Sequence, residues 1–256
     1  MTVRIEKRPG AERGSRTPEK IQSLSSGAIG TVTDAVKDAA GGAIRAVKPR
    51  LRGWIHAFTA PLALAACIVL TVLAPGPALT WACAAYLACS LFLFANSGVY
   101  HISYGHWPRR VTAVLRRVDH ANIYLLIAGT YTPLSVALLD RGMTLLVLGI
   151  VWGGALAGII TSLAWQSAPR WLTTLFYILL GWVAIWFLPQ FWMTGGPAIV
   201  WLLVSGGVAY TVGGVVYARR WPDPDPRWFG FHEIFHTCTV AAWACQCTAC
   251  YLAVLG

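Results

Sequence analysis

The chain has 256 residues, of which 57% are hydrophobic and only 12% charged, and its mean hydropathy is +0.59. A soluble domain of this length carries about 25% charged residues, so the composition excludes an ordinary soluble globular protein. The net charge of +10 is concentrated in the first 52 residues, which hold 11 of the 20 Lys and Arg residues. This distribution indicates a membrane-topology signal and predicts no nucleic-acid partner.

The first 50 residues form a basic segment rich in Gly, Ser, Arg and Pro, for which we predict a largely disordered cytoplasmic tail. We expect no signal peptide, because the opening stretch lacks an apolar core. Residues 33–47 are compatible with a short amphipathic helix on the membrane surface, although Gly41 and Gly42 weaken that pattern. The predicted organisation is therefore a tail over residues 1–50 and a membrane domain over residues 51–256.

Seven apolar runs follow the tail, each close to the ~20 residues that a helix needs to cross the hydrocarbon core. Turn-forming stretches such as Pro75-Gly76-Pro77 and Gly195-Gly196-Pro197 separate them. The predicted fold is an all-α integral membrane protein, a seven-transmembrane helix bundle. The predicted spans are residues 54–74, 80–103, 119–139, 142–162, 171–188, 197–218 and 232–255.

The distribution of basic residues predicts the orientation of the bundle. If the N-terminus lies on the same side as the predicted loops 104–118, 163–170 and 219–231, that side holds 19 of the 20 basic residues. The other side holds only Arg141. Since cytoplasmic loops are enriched in Lys and Arg, we predict a cytoplasmic N-terminus and an extracytoplasmic C-terminus.

Ionisable side chains inside the spans are few, and such residues are costly in a bilayer and usually functional. The predicted topology places His101 at the cytoplasmic end of the second span and Asp119 in the first turn of the third. His232 and His236 fall in the first two turns of the seventh span. Three helices therefore bring imidazoles and a carboxylate to the same depth of one leaflet.

The spacing of these residues favours a metal site. His232 and His236 are four residues apart, so they project from one face of a helix, and Ser97 and His101 share that spacing. Three neutral imidazoles with an open fourth position are typical of catalytic zinc, so we predict Zn²⁺ bound by His101, His232 and His236. Asp119 and Ser97 are the predicted catalytic residues. Asp119 would act on water or orient a ligand histidine, and Ser97 would be its hydrogen-bond partner. In the alternative interpretation, the histidines bind backbone groups or lipid headgroups.

The segment from His232 to His236 also matches the H-E-x-x-H pattern of zinc proteases, in which the glutamate is the general base. An intramembrane metalloprotease is therefore a further alternative. No acidic residue follows Glu233 in the sequence to serve as a third ligand. In the other interpretation of Glu233, it faces the headgroup region near the start of the seventh span.

Four segments resemble the motifs of the hemolysin III family, the bacterial branch of the progestin and adipoQ receptors. The resemblance implies a seven-helix fold, a cytoplasmic N-terminus and a multi-pass protein of the bacterial cell membrane. It also implies zinc held by residues matching His101, His232 and His236, with Ser97 and Asp119 as polar neighbours. The segments are Ser97 to His101, Arg117 to Tyr124, Ala128 to Pro133, and His232 to His236.

The related receptors and alkaline ceramidases imply that a lipid amide is hydrolysed by metal-activated water. Membrane lipids are therefore the expected partners, with a lipid as the expected substrate. The family name implies the alternative, a non-enzymatic receptor-like or membrane-lytic protein with a structural zinc. The chain departs from the family pattern before His56, where Arg52 and Trp54 occur, and at Gln246, so we interpret His56 as an interfacial residue of the first span.

Overall fold

The computed structural model describes residues 51–165 and 168–256, and within them the chain folds into helices. The described part contains no β-strand, only an isolated bridge between Asp225 and Phe229. The predicted tail of residues 1–50, with its amphipathic helix over 33–47, lies outside the described residues. The helices are α1 (Trp54–Leu73), α2 (Gly76–Ile102), α3 (Arg109–Leu138), α4 (Arg141–Ala164), α5 (Arg170–Gly181), a 3-10 helix (Trp182–Trp186), α6 (Leu188–Arg219) and α7 (Phe231–Leu255).

Six of the described helices are long and apolar enough to cross a membrane, namely all except α5. The chain is therefore a helical, multi-pass membrane protein, as its composition predicts. The region of the predicted fifth span is a shorter apolar rod, in which the α5 helix continues as the 3-10 helix. The count of seven spans and the orientation of the termini stay predictions.

The helix α3 begins at Arg109, ten residues before the predicted third span. The prediction of a loop over residues 104–118 was wrong from Arg109 onward, because hydropathy identifies only the apolar part of a helix and not where its charged first turns begin. Pro108 is the N-cap residue of α3, and the helix does not include the residues before it. As a result Asp119 lies in the third turn of α3 and not in the first.

The helix α6 is interrupted at Gly196, whose φ of +79° and ψ of 175° are not helical. Glycine adopts this left-handed φ without the penalty that a Cβ atom brings. Pro197 follows directly and begins the longer, regular part of α6. This break coincides with the predicted start of the sixth span at residue 197.

The helix α3 is the central helix of the bundle. In its most apolar 18-residue window 67% of the residues are buried, against 22% in the corresponding window of α4. It packs against α2, α4 and α7, while α7 also packs against α1 and α6, and α1 packs against α2. The helices α1, α2, α3 and α7 thus form a closed ring of contacts, and the candidate site lies at one end of that ring.

Candidate metal centre

Three histidines from two helices meet at this end of the bundle. His101 is the penultimate residue of α2, whereas His232 and His236 occupy the first two turns of α7. One ring nitrogen of each lies within 4.8 Å of the others, and His101 and His236 are buried. Among the described residues, this is the group of His, Cys, Asp and Glu side chains that meets the spacing for a metal ion. The prediction that these histidines come together is confirmed.

The separation of two of the nitrogens fits a tetrahedral ion. Two nitrogens that are each about 2.05 Å from a tetrahedral zinc ion lie about 3.3 Å apart. The Nε2 atoms of His101 and His232 are 3.2 Å apart. His236 Nδ1 is buried and has no hydrogen-bond partner among the described residues, a condition that it shares with both ring nitrogens of His56. The chemistry and placement of these donors therefore suit a cation that prefers imidazole, such as zinc.

Asp119 brings a carboxylate from α3 to the histidine group. Its Oδ2 lies 3.5 Å from Nε2 of His101, the same nitrogen that faces His232. Ser97, buried one turn before His101 on α2, interacts with the Asp119 carboxylate through its hydroxyl. The structure thus places both predicted polar residues beside the three histidines, and Asp119 lies on the side of the His101 ring that faces the centre of the group.

His56 is buried against this group, although the sequence analysis interpreted it as an interfacial residue. Its ring stacks on the ring of His236, with centroids 3.8 Å apart and planes inclined by 9°. On its other side it meets Phe94 edge-on. His56 is 3% exposed, so α1 contributes an aromatic wall to the site and the interfacial interpretation was wrong. The sequence signal that could have indicated this buried position is the histidine itself, an ionisable residue in the first turn of the first span.

Glu233 lies between the two α7 histidines and is fully buried. Its Oε1 accepts a 2.9 Å hydrogen bond from Nε of Arg52, and its Oε2 accepts one of 2.8 Å from the backbone N–H of Gly230. Oε1 therefore joins the segment before α1 to the start of α7, and Oε2 caps the first turn of α7 itself. The expectation that Glu233 faces the headgroup region was wrong, because Arg52 neutralises the charge inside the protein.

Gly53 immediately precedes α1 and is packed directly against the side chain of His101 and the backbone of Ile102. Its φ is +90°, and a Cβ atom at this position would lie 2.7 Å from the Cβ of His101 and 3.0 Å from the N of Ile102. Only glycine satisfies both demands without displacement. The segment from Gly53 to His56 therefore fixes where the end of α2, and with it His101, lies. Sequence reasoning missed this contact, since it joins residues far apart in the chain.

Sequence comparisons relate this chain to one protein family. Residues 44–247 match the family model described as "Haemolysin-III related". A 142-residue segment is 32% identical to "Hemolysin-3 homolog" of Bacillus subtilis (strain 168), covering 55% of this chain and 65% of that protein. A 114-residue segment is 35% identical to "Hemolysin-3" of Bacillus cereus, covering 44% of this chain and 51% of that protein. The matched segments thus span less than two thirds of either relative.

Proposed function

The chain belongs to the hemolysin III family, and on that premise we propose that it is a metal-dependent hydrolase of lipid amide bonds. The metal would be Zn²⁺, with His101, His232 and His236 as its ligands. The observation that carries this proposal is the convergence of three imidazole nitrogens within 4.8 Å of one another, with a carboxylate beside them. Three histidines with an open fourth position are typical of zinc sites that do chemistry.

A zinc ion at such a site supplies a Lewis acid, which polarises a carbonyl group and makes water a nucleophile at neutral pH. The chain's own residues would accept the proton that the water loses. A carboxylate that only orients a ligand histidine contacts the ring nitrogen that faces away from the metal. Asp119 instead approaches His101 Nε2, which also faces His232. This placement supports Asp119 as the proton acceptor for the attacking water, and the Ser97 hydroxyl as the group that orients the carboxylate.

The lipid substrate is supported by where the site lies. The histidine group sits at one end of a bundle of apolar helices, so a polar group in the headgroup region of a lipid reaches it while the acyl chain stays in the bilayer. The amide bond rests on the family resemblance to alkaline ceramidases. Glu233, which the metalloprotease alternative would need as a base, has both carboxylate oxygens engaged by Arg52 and Gly230, and this argues against that alternative.

Membrane lysis is the second candidate function, favoured by the name of the Bacillus cereus relative, "Hemolysin-3". In that case the metal would only join α2 to α7. A water-filled pore through one chain needs polar groups along its whole length. Within the described ranges, the charged side chains at the end opposite the histidine group are Asp140 and Arg141. The scarcity of charge there supports the hydrolase over a pore formed by a single chain.

The first experiment measures bound metal by elemental mass spectrometry on full-length protein purified without a metal-affinity tag. We expect about one zinc per chain, lost in His101→Ala and His232→Ala. His106→Ala is the matched control, because His106 is an exposed histidine five residues from His101 and outside the group. Metal that persists in both site variants, or folded wild type without metal, would overturn the proposed site.

The second experiment incubates the zinc-loaded protein with a fluorescent long-chain ceramide in detergent micelles and follows release of the labelled fatty acid. Dye release from vesicles, measured in parallel, tests lysis. Hydrolysis that depends on Asp119 supports the hydrolase. Dye release without hydrolysis, from protein with full metal content, would replace the hydrolase by the lytic function.

A further inference from the structure

A cavity of about 440 Å³ opens beside the metal centre, where α2 ends and α3 begins. Its volume falls within the range of small-molecule sites, about 300–1,000 Å³. Arg109, Arg116 and Arg117 contribute to its lining, with Tyr100, Trp107 and Ala113 among the other wall residues. The predicted metal chemistry does not use this cavity, and of its lining residues only Tyr100 and Arg117 fall within the segments that resemble the family.

The arrangement of the arginines follows from the helix. Arg109, Ala113 and Arg116 recur at intervals of four and three residues and so share one face of α3, with small Ala113 between the two long side chains. Arg117 follows Ala113 by one turn. Because a helix rises 1.5 Å per residue, Arg109 and Arg116 begin about 10 Å apart along its axis. The small residue leaves a recess flanked by guanidinium groups.

These charges have no acidic partner in the described ranges 51–165 and 168–256. The two ion pairs found there are those of Arg52 with Glu233 and of His101 with Asp119. Three neighbouring guanidinium groups, none of them in an ion pair with another described residue, make the recess positive, and Asp119, three residues after Arg116, offsets only part of that charge at Tyr100. A guanidinium presents its N–H groups as a planar fork, which matches two oxygens of a phosphate group.

The position of the cavity indicates where the phosphate comes from. Trp107 is 48% exposed and its indole N–H donates to Ser103 Oγ, which fixes the ring beside the end of α2. Partly exposed tryptophans next to apolar helices are typical of the headgroup level of a membrane. Clusters of arginine at that level attract anionic lipids. We propose that this cavity binds the phosphate group of an anionic phospholipid.

The test measures binding of short-chain phosphatidic acid to full-length protein in a neutral detergent, by native mass spectrometry. Phosphatidylcholine of the same chain length and inorganic phosphate are the comparison probes. Replacing Arg109, Arg116 and Arg117 by Gln together is expected to weaken phosphatidic acid binding at least tenfold. The matched control replaces Arg110, Arg219 and Arg220 by Gln, which removes the same charge from the same end of the bundle but outside the cavity.

A second variant keeps every charge. Ala113→Phe fills the recess between Arg109 and Arg116, so it should also weaken binding at least tenfold if the cavity is the site. Thermal unfolding and metal content, unchanged from the wild type, show that each variant is folded. The lipid-binding measurement separates this proposal from the proposed hydrolase, because it needs no substrate turnover.

Each outcome decides the proposal. Loss in the cavity triple variant and in Ala113→Phe, but not in the control triple variant, supports it. Displacement of the lipid by inorganic phosphate at a similar concentration would identify a site for free phosphate and overturn the lipid assignment. Equal loss in both triple variants, with Ala113→Phe unaffected, would show unspecific attraction to surface charge and overturn the site. Equally tight binding of phosphatidylcholine would overturn the anionic selectivity.

Discussion

The rings of His56 and His236 lie in parallel, 3.8 Å apart, so α1 supports a candidate ligand that α7 carries. His236 is in turn next to His232 and His101, with ring centroids 4.5 Å and 5.1 Å away. His236 therefore packs on a fourth aromatic ring, and the other two candidate ligands contact that ring only through His236. This dependence can be tested separately from the ligands themselves.

His56→Ala removes the surface against which His236 stacks. We expect the dissociation constant for zinc to rise about tenfold, as when a residue that orients a metal ligand is removed. His56→Phe restores an aromatic face and should stay within about threefold of the wild type. Competition with a chromogenic zinc chelator measures both. If Phe behaves like Ala, the ring nitrogens of His56 are needed and stacking is not its role.

Asp119→Asn removes the proton acceptor but keeps a side chain of the same size beside His101. We expect metal content to stay close to one per chain, while ceramide turnover falls by at least about 100-fold, the lower end for general base catalysis. Ser97→Ala should have a smaller effect, since it only orients the carboxylate. Full turnover by the zinc-loaded Asn variant would show that Asp119 is not the base.

Gly53→Ala introduces a Cβ atom at a φ of +90° and 2.7 Å from His101. Gly76 also has a positive φ, +76°, but a Cβ there meets open space, so Gly76→Ala isolates the backbone strain. The strain alone costs roughly 1–2 kcal/mol. We expect Gly76→Ala to keep its zinc and Gly53→Ala to lose affinity, measured by chelator competition and thermal unfolding. Equal behaviour of the two variants would mean that Gly53 matters only for its dihedral angles.

The pair of Arg52 and Glu233 provides a fourth prediction. Removing one member of a buried ion pair leaves an uncompensated charge and costs about 3–5 kcal/mol, whereas removing both costs less. Arg52→Ala should therefore lower the unfolding temperature more than the double variant Arg52→Ala/Glu233→Ala does. Glu233→Gln, which keeps an oxygen for the Gly230 N–H, should retain zinc. With Glu233→Ala as the second single variant, additive effects in this double-mutant cycle would show that the two side chains are not coupled.

The sequence predicted the helical membrane fold, because span length and hydropathy are properties of each segment alone. It predicted the family through four short motifs. It also predicted the meeting of His101, His232 and His236, since span ends and the i, i+4 spacing together fix depth and direction. It failed where the outcome depended on a distant partner. Glu233 is buried because Arg52 lies opposite it, and His56 is buried because α1 packs on α7.

The start of α3 was missed for a different reason. Hydropathy identifies the apolar part of a helix, and in the turns from Arg109 to Arg117 four arginines outweigh the apolar residues between them. That extension also forms one wall of the cavity beside the metal centre. The candidate phosphate site is therefore built from residues that a span-based prediction assigns to a loop.

The distance along the chain between the candidate ligands has a consequence for biosynthesis. His101 and His232 are separated by 131 positions. At roughly 5–20 residues per second, translation takes on the order of 10 s to proceed from one to the other. During that interval α2 and α3 carry His101 and Asp119 without the helix that completes the site. If the group binds a metal ion as proposed, insertion of α7 is the step at which all three ligands first become available, and the bound ion would hold this late helix in place.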